Sequence, residues 1–357
     1  MHRTAKLAIA LGAIALVAGV SAARPETTSN GFFAQSATVL GKNVWVVGLA
    51  HCSNHSGCTE VMRSTNGGRT FARIGSGPRR WVDDARGDMG PSVFFADARN
   101  GYVLAVSDGV WATHDGGTTW SRLPLQNPLV FAAGAGRAYA VTADCPRVVC
   151  TNFRLHRTEG STGQWASTAL PLPSDDPIVG LLAAGPDVWI FARSTGHNAL
   201  ARSHDGGRTF TTGPSPCPLG FDGDMSAAPD GSLWVICPNN TVGTAVRSTD
   251  GGAQFTPIDL AGLANFTQIG AASASVAVVF GKGPYGPLQR TTDGGRTWQT
   301  GWRLPDFSNA LAGVAFGDAS HGVLLEQTTP DPLFGIERFA LWRTADGGVH
   351  WSLARFP

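Results

Sequence analysis

One nine-residue pattern, Arg-(Ser/Thr)-x-Asp-Gly-Gly-x-x-(Trp/Phe), recurs along the chain and constrains its fold more than any other feature. Copies occupy 63–71, 202–210, 247–255, 290–298 and 343–351, with Asn66 in place of the aspartate in the first. The copy at 113–120 lacks the arginine, and the copy at 157–165 is worn, keeping Arg157, Thr158, Gly163 and Trp165 around an altered turn. The closing aromatics Phe71, Trp120, Trp165, Phe210, Phe255, Trp298 and Trp351 stand 43 to 53 residues apart. Self-similarity at such a period is the signature of a repeat architecture.

Each residue type has a physical role in the pattern. Asp-Gly between two extended runs makes a tight hairpin turn, and glycine supplies the positive φ. The aspartate and the Ser/Thr hydroxyl can accept bonds from nearby backbone N–H groups and lock that turn. Asn66, Asp115, Asp205, Asp250, Asp293 and Asp346 are therefore read as structural, since seven equivalent catalytic turns have no chemical sense. The aromatic is expected to start the next strand. A second hairpin precedes each turn, for example 37–40 with 44–47, 181–182 with 188–191, and 314–316 with 323–325. Each repeat thus reads as four strands, A to D, with the glycine turn between C and D. About 48 residues per four-stranded unit matches a propeller blade, so the sequence predicts an all-β, seven-bladed β-propeller of four-stranded antiparallel blades.

Composition agrees. Lysine occurs three times and glutamate five, against 46 glycines and 22 prolines, so strong helix formers are scarce and turn formers plentiful. Helical bundles and α/β folds are disfavoured.

The turns resemble Asp-box repeats, also called bacterial neuraminidase repeats, over nearly the whole chain after the first 22 residues. Two stretches, 93–102 (VFFADARNGY) and 314–323 (VAFGDASHGV), with the box that follows each, are similar to the photosystem II assembly-factor-like propellers. That resemblance implies a seven-bladed propeller on the scaffold shared with sialidases. It carries no photosystem function, because a fold does not settle what is done on it.

Residues 1–22 read as a secretory signal peptide: Arg3 and Lys6, an apolar run from Leu7 to Val20, then small residues. Residues 23–357 read as one propeller domain. The run is too short for an ordinary membrane span, which needs roughly 20 residues. Without Arg3 and Lys6 the chain has 25 basic and 26 acidic side chains, which gives no field to hold nucleic acid or an anionic membrane. A secreted or cell-envelope exterior location, a monomer, and a protein or glycan ligand are expected. No cofactor and no metal are expected. The six cysteines form three close pairs, 52–58, 145–150 and 217–237, and an even count in an exported chain favours disulfides. The rival for the first pair is a zinc site that adds His51 and His55.

The B–C and D–A loops are long and varied, whereas the A–B and C–D turns are short and uniform, so binding is expected on the first face. Candidate ligand-binding residues there are Arg80, Trp81, Asp83, Asp84 and Arg86 between the first two repeats, Asp222 and Asp224 before the fifth, and Tyr285 in the sixth. Two functions compete. One is a non-catalytic binding or assembly module. The other is a sialidase-like exo-glycosidase, for which Asp83 or Asp84 would be the acid and Tyr285 the nucleophile. The family's motifs are mostly missing for the second. Arg73-Ile74-Gly75 follows the first box instead of preceding it, the other tyrosines (Tyr102 and Tyr139) fall in B strands, and Glu326 and Glu337 lie one repeat beyond Tyr285.

Overall fold

The computed structural model describes residues 32–51, 57–77, 91–105, 109–125, 128–145, 150–159, 163–172, 178–193, 198–217, 224–237, 244–260, 266–281, 288–303, 311–328 and 338–357. These residues hold strands, turns and bends, with no helix among them. The first unit is β1 (Phe33–Leu40), β2 (Asn43–His51), β3 (Gly57–Ser64) and β4 (Ala72–Ser76). The second is β5 (Ser92–Phe95), β6 (Gly101–Ala105), β7 (Gly109–Thr113) and β8 (Ser121–Arg122). Then come β9 (Val130–Gly134), β10 (Arg137–Asp144), β11 (Thr151–Glu159) and β12 (Gln164–Ala169), followed by β13 (Ile178–Ala184), β14 (Asp187–Arg193), β15 (Asn198–Ser203) and β16 (Thr211–Pro214). The fifth unit is β17 (Asp224–Ala227), β18 (Leu233–Cys237), β19 (Thr244–Ser248) and β20 (Thr256–Ile258). The chain ends with β21 (Phe266–Ala271), β22 (Ala277–Gly281), β23 (Gln289–Thr291) and β24 (Gln299–Thr300), then β25 (Leu311–Phe316), β26 (Gly322–Thr328), β27 (Arg338–Thr344) and β28 (Ser352–Leu353).

Every unit pairs antiparallel in chain order, giving five separate four-stranded sheets and one of eight strands. The eight-stranded sheet is the first and last runs of four, joined where Ala34 of β1 pairs with Phe339 of β27. The sequence left open how the two ends meet. Each end supplies four strands of its own, and the two ends are joined by this pair, by the Gly41 N–H donating to the Gly317 carbonyl at 3.0 Å, and by packing of Phe32 and Phe71 on Phe356, with ring centroids 4.8 Å apart in both contacts. The first strand of each unit packs on the first strand of the next: β1 on β5, then β9, β13, β17, β21, β25, and β25 back on β1. The units therefore stand radially around a channel walled by these inner strands. Between β17 and β21 the wall is sewn by side chains: Asp224 accepts from the Ile269 N–H and Ser226 from the Ala271 N–H, both 45 residues apart, so the two strands run alongside in the same direction.

The core lies between units. The B strands read as unbroken apolar runs because both their faces are covered. Trp45, Trp189 and Trp234, in β2, β14 and β18, are fully buried. Their indole N–H groups donate to backbone carbonyls of the next unit: Gly116 at 3.3 Å, Gly251 at 2.9 Å and Ser273 at 3.1 Å. The pattern's arginine makes a parallel link. Arg157 donates to Gly207 and Arg290 to Gly347, while Arg202 and Arg247 donate to Gly252 and Ala274. Arg63 and Arg247 also lie over the rings of Trp45 and Trp234.

Within a turn the hydrogen bonds are regular. At Asp205 one carboxylate oxygen accepts from the Ser203 hydroxyl and from the backbone N–H groups of Arg208 and Thr209, at 2.7 to 2.9 Å. The Ser203 hydroxyl oxygen accepts from the Gly207 N–H. The same set recurs at Asn66, Asp115, Asp293 and Asp346. Burial opposes ionisation at Asp115, yet the bonds from Thr119, Thr113 and Thr118 prevail and hold its carboxyl at about 2. Such a group adds stability above pH 4 and loses it as the pH falls toward 2. Asp205→Ala removes these acceptors and is expected to cost about 1 kcal/mol in denaturant unfolding.

One expectation needs correction. The closing aromatic does not begin strand D: Phe71, Trp120, Phe210, Phe255, Trp298 and Trp351 each sit one residue before it. From there Trp120 and Trp351 fold back to donate to the carbonyls of Gly117 and Gly348 in their own turns. In the worn copy, where the turn differs, Trp165 does lie inside β12. The burial of this aromatic varies between copies. Trp298 is half-buried, with its N–H on the Asp259 carbonyl, so the deepest tryptophans are those of the B strands.

Candidate functional site

The inner strands β13, β17, β21 and β25 wall a cavity of about 320 Å³ along the channel. The apolar part of its lining includes Leu182, Met225, Ile269, Val314 and Phe316. Ala312 and Gly313 add no bulk, and a Cβ placed on Gly313 would meet nothing within 4 Å. Three polar side chains share this wall: Asp224, Ser226 and Gln268.

Local sequence explains how Asp224 arrives there. It is the first residue of β17 and pairs with Ile236 of β18. Cys237 ends β18, directly after Ile236, and is bonded to Cys217, seven residues before Asp224 in the sequence. Asn198 at the start of β15 donates to the Cys217 carbonyl and anchors the same point. In the channel wall, burial pushes the Asp224 carboxyl up to about 6, even though the N–H groups of Ile269 and Met225 favour its charged form. A carboxyl raised in the folded state contributes stability that is fully present below the unfolded pKa near 4. That contribution is lost as the pH rises through 6. Asp224→Asn keeps an acceptor for Ile269 and removes the charge. It is expected to raise stability at pH 8 by about 1–2 kcal/mol, the full shift being discounted for partial solvent contact, and to leave it unchanged at pH 4. Thermal melts of both proteins at the two pH values check this.

Of the ligand-binding residues the sequence singled out, the described structure contains Asp224. Arg80, Trp81, Asp83, Asp84, Arg86, Asp222 and Tyr285 lie outside the described residues. Tyr102 and Tyr139 are packed between units, where burial pushes the Tyr102 phenol up to about 12, and neither reaches the channel cavity. Cys145 is bonded to Cys150 and Cys217 to Cys237. Cys58 is also disulfide-bonded, which removes its thiolate from any zinc site, while Cys52 and His55 lie outside the described residues. Such bonds belong to oxidising, extracytoplasmic compartments. Among the described residues no three His, Cys, Asp or Glu side chains cluster to hold a metal, and no helix is long and apolar enough to cross a membrane.

Sequence reasoning missed Ser226, Gln268 and the inter-unit arginines. The arginines carried a signal, since they recur in six of the seven copies. Gln268 did not, because which inner-strand side chains face one another depends on the packing of separate units.

No family model and no curated protein sequence matches the chain. Solved structures do. YCF48 bound to D1 peptide is similar with a TM-score of 0.58 and 18% identity, over 90% of this chain and 95% of that one. YCF48 from Cyanidioschyzon merolae gives 0.51 and 16%, over 73% and 83%. The β-propeller domain of the trilobed protease from Pyrococcus furiosus, which has an open velcro topology, gives 0.61 and 10%, over 91% and 95%. With radial four-stranded sheets, a closed ring of inner strands and these matches over most of its length, the chain is a β-propeller related in fold to YCF48-like propellers.

Proposed function

We propose that this chain is an exported, non-catalytic propeller of seven blades that binds a segment of a partner protein at its loop-bearing face. The seven-blade reading takes the eight-stranded sheet as two blades touching at Ala34 and Phe339, each with its own four strands. Export is supported by the disulfides and by the leader-like residues 1–22. The observation that carries the binding reading is a division between the two ends of the ring. The glycine turns at one end are consumed by hydrogen bonds within and between blades, whereas at the other end Asp224 opens β17 on the wall of the channel cavity. A peptide partner is also the occupant of the similar propeller YCF48, bound to D1 peptide. The sialidase-like alternative gains less support: two of the three tyrosines are buried between blades, and retaining or inverting hydrolysis needs two carboxyl groups across a cleft, where the described cavity wall carries one.

Selection of peptides from a displayed library tests the reading. The wild type is expected to enrich a related set of sequences, and the Arg80→Ala, Trp81→Ala double variant to bind them at least tenfold more weakly. Hydrolysis of a chromogenic sialoside that disappears in Tyr285→Phe would instead establish the glycosidase.

A further inference from the structure

The channel cavity combines apolar walls with a single described carboxylate. Asp224 has one oxygen tied to the Ile269 N–H, and its neighbour Ser226 is tied in the same way to Ala271. Among the described residues lining the cavity from β13, β17, β21 and β25, Asp224 is the one titratable group. A carboxylate here has lost much of its hydration without gaining a cation from the described wall, and a positively charged ligand would restore what burial removed. The geometry also selects the kind of cation. A guanidinium prefers both oxygens of a carboxylate in a fork, and here the Ile269 N–H already engages one oxygen and the Met225 N–H also bonds to the group. An ammonium is a compact point charge on a four-carbon stem that needs one oxygen and a second acceptor. Gln268, which carries an amide oxygen, lines the same cavity from the adjacent strand, while Leu182, Met225 and Val314 present apolar surface for the methylenes.

We propose that this cavity receives the alkylammonium end of a lysine side chain from the partner segment, with Asp224 as its counter-ion. The proposal rests on the binding reading above and adds the chemistry of one contact. It predicts that binding drives a proton off Asp224 near pH 6, so the interaction strengthens between pH 5 and pH 7.5.

The probe is Nα-acetyl-lysine methylamide, compared with its norleucine analogue, which keeps the stem and lacks the charge. Amide NMR of the intact protein at pH 7.5 is expected to show saturable shifts at Met225 and Ile269 with the lysine probe. The response should be at least tenfold weaker with the norleucine probe, in Asp224→Asn, and for wild type at pH 5. Gly313→Leu fills open space in the cavity without touching the carboxylate, and it is expected to abolish the response while leaving the fold's amide spectrum intact. Equal shifts with both probes, an undiminished response in Asp224→Asn, or no response at all would overturn the proposal. Because the probe needs neither the partner nor the loop carrying Arg80 and Trp81, such a failure would leave the peptide selection to decide the broader function.

Discussion

Trp189→Ala is expected to destabilise the protein by about 3–5 kcal/mol, the largest loss predicted for any single side chain here. The indole is fully buried in β14, between the fourth unit and the fifth. Its N–H donates 2.9 Å to the Gly251 carbonyl, and a Cβ on Gly252 would come within 3.2 Å of its Nε1. Truncation would therefore open a void at a boundary between units and also orphan a buried carbonyl, two costs that add. Gly251 cannot follow the vanished ring, because its φ of 71° belongs to a turn whose remaining bonds hold it in place. The half-buried Trp298 should cost less on the same substitution, about 1–3 kcal/mol. Urea unfolding of the two variants, with the slope of the transition checked against wild type, gives the comparison. A larger loss at Trp298 would mean that the glycine turns, and not the B strands, carry the contacts between units.

Removing the Cys217–Cys237 bond should cost about 3 kcal/mol, the entropy gained by an unfolded chain freed from a closed loop of about 20 residues. Both cysteines are buried, so the pair is best replaced by alanines, which leave no polar group behind. Cys145–Cys150 spans five residues, and the same relation gives about 2 kcal/mol for it. Calorimetry of the two double-alanine proteins distinguishes them. The longer bond carries an added consequence, because Cys237 directly follows Ile236, the residue paired with Asp224. Its loss should weaken lysine-probe binding as well as lower Tm, whereas loss of Cys145–Cys150 should lower Tm alone. Equal effects of both pairs on probe binding would show that the disulfide does not position β17.

Much of the strand pattern was legible because it is written in local chemistry. Apolar runs such as 181–182 and 188–191, on either side of Gly185-Pro186-Asp187, leave little choice but a hairpin, and β14 spans Asp187–Arg193. The turn glycines are legible for the same reason: few other residues accept their φ. The placement of the aromatic was misread by one position, since where a strand resumes after a turn depends on when the neighbouring strand can offer hydrogen bonds.

The candidate site was legible only in part. Asp224 stood out as a carboxylate before a strand, named with Asp222 as a candidate ligand-binding residue. Its partners in the folded chain, the Ile269 N–H and the wall carrying Gln268 and Gly313, come from units 45 and about 90 residues away. The sequence by itself determined the four-stranded repeat, its turns and the apolar character of the B strands, because each follows from interactions within one unit. Only the tertiary structure decided which inner-strand side chains look into a common cavity, how the first and last units meet, and what the recurring arginine is for. Those depend on the packing of one unit against the next, an interaction that leaves no fixed spacing in the chain.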